Sequence, residues 1–110
     1  MQKDNLVYIK DIYDACNIIL DYVEGMTYGD FNNNRLVRDA VIRNIEILGE
    51  AANKLDQIFI ETHPEFPKRD AVTMRNKLIH DYDEIDYEIL WGTIKSDIPA
   101  MLSLCTKILS

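Results

Sequence analysis

The sequence is poor in cysteine, in histidine and in long apolar runs. It has only two cysteines, Cys16 and Cys105, far apart and without CxxC spacing. That argues against a disulfide framework or a thiolate metal cage, and both thiols are expected to be free and buried on apolar helical patterns. The two histidines, His63 and His80, form no HxxxH or HExxH pattern, so no metal site is expected. There is no glycine-rich phosphate loop and no GxSxG, and no cofactor is expected. No apolar stretch approaches the roughly 18 to 20 residues that cross a bilayer. The opening Met1-Gln2-Lys3-Asp4-Asn5 lacks the form of a signal peptide, so a cytoplasmic protein is expected. Positive charge is also in deficit. A net charge of −7 argues against a general nucleic-acid binder, which needs clustered Lys and Arg.

What the chain does have is a soluble composition, 47% hydrophobic and 28% charged, with room for one core in 110 residues. One helical domain spanning 1–110 is expected. Ile9, Ile12, Cys16, Ile19, Leu20 and Val23 recur at spacings of three and four and predict a helix over 3–24, stopped by Gly25. The Gly/Asp/Asn-rich stretch 25–34 reads as a connection, with Phe31 folding back onto the bundle. A long second helix over 34–58 follows from Leu36, Val37, Ala40, Val41, Ile45, Leu48, Ala51, Ala52 and Leu55. Gly49 lies within it, at a cost of about 1 kcal/mol against Ala. A close helix crossing would explain that residue, and so would simple tolerance. Glu46 and Glu50 share a face, which by spacing alone is a solvated edge. Pro64 and Pro67 close a second connection. A short third helix runs from about residue 69 or 70, with Asp70 as a possible cap, to 82. A fourth covers 86–108, where Pro99 should kink or split it. Nothing reads as a strand. The fold class is all-α, an up-and-down bundle of four to five helices.

The chemistry is concentrated in Arg75-Asn76-Lys77-Leu78-Ile79-His80-Asp81-Tyr82. Arg75 is a fixed cation whose planar fork matches phosphate oxygens. His80 can give or take a proton near neutrality. Arg75 and Tyr82, seven apart, lie nearly in register on a regular helix. Arg75 and His80, five apart, are offset by roughly 140°. They meet on one phosphate only if Arg75 stretches round, the helix end unwinds, or two copies share a groove. Taken singly, each has an ordinary explanation: a paired surface arginine, a helix-terminal histidine, a half-buried tyrosine. The stretch 63–80 is also the one basic segment around a reactive group, with Lys68, Arg69, Arg75 and Lys77 against Glu65 and Asp70.

These residues resemble the RxxxxHxY motif of HepT-like proteins, a branch of the HEPN superfamily. The likeness extends to Asp39-Ala40-Val41-Ile42-Arg43-Asn44-Ile45-Glu46-Ile47-Leu48-Gly49-Glu50-Ala51-Ala52, to Ile85-Asp86-Tyr87-Glu88-Ile89-Leu90-Trp91, and to Asp97-Ile98-Pro99, in the same order along nearly the whole chain. There are departures. Lys68 stands where the family often has tryptophan, and Thr73 where a smaller residue is common. Both concern the edge of the cleft rather than its reactive groups.

The resemblance implies a HEPN-like bundle that forms a homodimer or higher oligomer, with the motif helices facing each other across a cleft. It implies the RNase toxin of a type VII toxin–antitoxin pair, whose partner is an MntA-type nucleotidyltransferase. That partner would attach AMP to Tyr82 and block the cleft with bulk and charge. Cleavage of single-stranded RNA, such as a transfer RNA, would use the ribose 2′-hydroxyl as nucleophile. His80 would move protons and Arg75 would hold the phosphate. Asn76, Asp81 and Tyr82 would support them, and Lys68, Arg69 and Lys77 would contact the RNA backbone. The competing reading is a non-catalytic helical module that binds a nucleotidyltransferase or a nucleotide. A purely structural helical dimer is a third.

Overall fold

The computed structural model describes residues 4–110 and contains six α-helices and one 3-10 turn among them. α1 (Asn5–Val23) begins where the Asp4 side chain accepts from the Leu6 amide at 2.9 Å. Its stripe Ile9, Ile12, Cys16, Ile19 and Val23 is buried, as the spacing predicts. The expected start at Lys3 lies outside the described residues. After α1 the chain turns through Gly25, whose φ of 75° favours glycine.

The stretch expected to be a plain connection holds α2 (Tyr28–Asn32), set by a reciprocal capping box between Thr27 and Asp30. Phe31 is fully buried and packs on Trp91, with ring centroids 5.2 Å apart. The second long helix is shorter than its apolar pattern suggested. α3 (Arg35–Asn53) ends at Lys54, and α4 (Gln57–Thr62) restarts under the Asp56 cap. Leu55 and Phe59 continue the apolar pattern and are buried, but from a turn and a separate helix.

α5 (Lys68–His80) starts one or two residues earlier than expected. Pro67 stands at the cap position, and Asp70 lies in the first turn instead of capping it. The helix stops at His80, so Tyr82 belongs to a 3-10 turn (Tyr82–Glu84) and leaves the helical register expected for it. A kink or a local split was expected at Pro99; α6 (Tyr87–Leu109) runs through it without a split. Pro99 removes one N–H, but it is exposed, so the unpaired carbonyl one turn back can be hydrated.

The helices form an all-α, HEPN-like bundle in which α3 packs between α1 and α5, and α1 packs on α6. The core runs through Ile9, Ile12, Ile19, Ile45, Leu48, Ile94 and Ile98, all fully buried. Cys16 and Cys105 are also fully buried, and desolvation pushes each thiol up to about 12. No buried polar or charged residue interrupts this core among the described residues. The order α5–α3–α1–α6 leaves α5 and α6 without close backbone packing, with an open groove between them.

Candidate active site

α5 carries the motif because its inner face, Ala71 and Leu78, is apolar and buried against the bundle. It crosses α3 at Gly49. A Cβ added there would collide with the Arg75 Cβ and lie 3.0 Å from the Ala71 carbonyl oxygen. The missing side chain therefore lets Arg75 lie flat against α3, and the close crossing is the reason for this glycine.

Arg75 is held on two sides. Its Nη1 donates to Glu50 Oε2 at 2.6 Å, while Nε and Nη2 converge on Asn76 Oδ1 at 3.1 and 2.6 Å. Its side chain is 15% exposed and that of Glu50 is 55%. The fork is thus rigid and largely covered, and three of its five N–H groups have partners. The other two remain for a ligand. Arg75 borders a cavity of about 350 Å³ between α1, α3 and α5. Arg43, Lys54, Asp11 and Glu46 also line it, so its walls carry both signs of charge. A wider depression of about 590 Å³ beside α2 contains no motif residue.

His80 ends α5 and is exposed. No hydrogen bond or ion pair joins it to Arg75, and the helix stays regular between them, so the roughly 140° offset persists. Asn76 shares the face of His80, one turn earlier, and is tied to Arg75. Asn76 therefore stands beside Arg75 on the helix face that also carries His80. Asp81 caps the end of α5 and is exposed. The Tyr82 hydroxyl donates to Asp39 Oδ1 at 3.0 Å, and Asp39 also faces Arg35 at 3.6 Å. That hydrogen bond, reinforced by the negative charge of Asp39, holds the phenol above its ordinary range. The ring remains 45% exposed.

The basic residues divide. Lys68 turns inward and donates to the Leu55 carbonyl at 2.6 Å, whereas Arg69 and Lys77 are exposed. Glu50 and Asp39 were not singled out as site residues in the sequence. Glu50 stands four residues from Glu46 on what reads as a solvated edge, yet it reaches across to Arg75, while Glu46 stays with Arg43 at 3.6 Å. The one available signal was its placement one residue after the anomalous glycine. No three His, Cys, Asp or Glu side chains gather as a metal set among the described residues.

An exposed helix-terminal imidazole, a clamped guanidinium five residues earlier and a tethered phenol on one bundle define a helical protein with a polar motif site. Residues 12–108 match the family described as Ribonuclease HepT-like. The chain is 38% identical to a probable ribonuclease HepT of Thermococcus cleftensis over 101 residues, 92% of each chain. It is likewise 38% identical to a candidate RNase of Methanocaldococcus jannaschii over 98 residues, 89% of this chain and 90% of the relative. A longer protein of that organism, named as a gamma-glutamylcyclotransferase and candidate RNase, is 35% identical over 99% of this chain and 49% of its own length. No solved structure matches. The chain belongs to the HepT-like ribonuclease family.

Proposed function

We propose that the protein is a metal-independent endoribonuclease, the toxin half of a type VII toxin–antitoxin pair. The observation that carries this reading is the exposure of His80 on the helix whose Arg75 is fixed by Glu50 and Asn76. A ribose 2′-hydroxyl gives up its proton as its oxygen attacks the adjacent phosphorus. The P–O bond to the 5′-oxygen breaks, and that oxygen takes a proton. The products are a 2′,3′-cyclic phosphate and a 5′-hydroxyl. His80 supplies proton transfer, and Arg75 neutralises charge on the pentacoordinate phosphorus. In a homodimer, one His80 with water would serve each site as base and then acid. Arg69 and Lys77 would contact neighbouring phosphates. The protein works in the cytoplasm as one helical domain over 1–110.

Tyr82 is the reading's regulatory residue. Its phenol is exposed and lies two residues beyond His80, so AMP attached there by an MntA-type nucleotidyltransferase would place phosphate and base over the reactive imidazole. The anchoring of Tyr82 to Asp39 supports this by fixing where the acceptor oxygen sits.

Purified protein and its His80→Ala variant, incubated with labelled single-stranded RNA and a chelator, test the central step. The variant should lose about 100-fold or more in cleavage rate while keeping its helical circular dichroism. Parental cleavage by the variant would remove His80 from the chemistry. The competing reading, a non-catalytic module for a nucleotidyltransferase or nucleotide, predicts no histidine-dependent product at all.

A further inference from the structure

The nuclease reading leaves one pronounced feature unused. Asp81, Asp83, Glu84, Asp86 and Glu88 put five carboxylates into eight residues with no Lys or Arg among them. Two have a local structural role: Asp86 caps α6, accepting from the amides of Glu88 and Ile89 at 3.0 and 3.2 Å, and Glu88 lies in its first turn. The other three do not. Asp81 caps the C-terminal end of α5 and Asp83 and Glu84 follow it, where the helix dipole disfavours negative charge. None of these three carboxylates is in an ion pair. A cluster of this sign beside His80 also repels RNA.

Two of these three, Asp81 and Glu84, border the groove left where α5 and α6 fail to pack closely. Leu78, Ile85, Ile89 and Leu90 line it, Asp81, Glu84 and Asp86 with one cation, Lys77, stand at its edge, and it encloses about 150 Å³, room for an aliphatic side chain. Ile89 is 63% exposed, although Leu90 beside it is buried. An apolar floor bounded by unpaired carboxylates is complementary to a side-chain pattern of opposite charge: apolar anchors flanked by cations.

We propose that the α5–α6 groove is the docking site for a basic amphipathic segment of a partner protein, which seats an aliphatic anchor against Leu78, Ile85 and Ile89 and places Lys or Arg against Asp81 and Glu84. The segment would lie over Lys77 and Asp81, within one turn of His80, and so would cover the exposed end of α5. This inference concerns binding and stands apart from the nuclease reading.

The test uses the intact chain and a labelled helical peptide with leucines four apart and lysines at the flanks, beside a twin with glutamates in place of the lysines. Fluorescence anisotropy at about 0.15 M salt should show saturable binding of the lysine peptide and none of its twin. Ile89→Asp should weaken that binding at least about tenfold even though it adds a negative charge, and Glu84→Lys should weaken it by a similar factor. Amide resonances over 77–93 should move on peptide addition. Equal binding to the Ile89→Asp protein, or amide shifts confined to another face, would show attraction by charge alone and overturn the proposal. So would a dimer of the free protein that Ile89→Asp converts to monomer, since the groove's occupant would then be a second copy.

Discussion

At the scale of single residues, the carboxylates of this protein do opposite kinds of work. Glu50 fixes a cation in the candidate site, Asp39 fixes a phenol, and Asp56 ties the start of α4 to the start of α1. Asp56 accepts from Asn5 Nδ2 at 2.9 Å and from the Phe59 amide at 2.8 Å, and its own amide donates to Asn5 Oδ1 at 3.1 Å. The bond from Asn5, then that from Phe59, holds its carboxyl below the usual range. A depressed folded value means the unfolded chain binds the proton more readily. The stabilisation is therefore present above the unfolded value, about 3.9, and is lost as pH falls through the folded one. Asp56→Ala should lower the melting temperature at about pH 7, and the gap to the parent should shrink near about pH 2. A gap that stays constant across a series of melting curves would assign the effect to packing instead of to the carboxylate.

At the scale of elements, the α3–α5 crossing connects stability to the site. Gly49→Ala should cost about 1–3 kcal/mol in denaturant unfolding, because the new methyl meets the Arg75 Cβ and the Ala71 carbonyl and α5 must move away. RNA cleavage should fall with it, since the same movement shifts Arg75 from Glu50; unchanged stability would mean the crossing is looser than these contacts require. The four long helices were legible because their apolar residues repeat over many turns, as Ile9 to Val23 do. α2 and α4 were not, because five or six residues are too few to show a period, and only their caps, Thr27 with Asp30 and Asp56, announce them. The motif's residue types and a histidine near the end of its helix could be read from the chain. Its partners could not: Glu50 to Arg75 spans 25 residues and Asp39 to Tyr82 spans 43, contacts that no local spacing rule reaches. Tyr82 was placed in helical register with Arg75 because nothing in the sequence marks His80 as the last helical residue. Pro99 does not split α6, since an exposed proline in the middle of a long helix loses only one backbone bond.

At the scale of the whole molecule, the arrangement of Arg75 and His80 on one helix sets a requirement on assembly. Their offset of roughly 140° turns the guanidinium toward α3 while the imidazole faces solvent. Ile79, one turn after Arg75 and 52% exposed, and Ile47 of α3, 36% exposed, line the cavity that Arg75 borders. In the reading as a dimeric nuclease, a second copy packed over these residues supplies its own His80 to this chain's Arg75, which predicts composite sites. Arg75→Ala and His80→Ala proteins should each be inactive alone and should regain activity when mixed. At a one-to-one ratio half of the dimers are mixed and each holds one intact site of two, so the recovered rate should reach about a quarter of the parental value. Initial rates on labelled RNA, measured after subunit exchange, decide the matter. A mixture that stays inactive despite exchange, shown by a dimer containing one chain of each mass, would place Arg75 and His80 of the same chain in each site. The helix end would then have to unwind to unite them, and amide exchange at residues 77–80 should quicken when RNA binds.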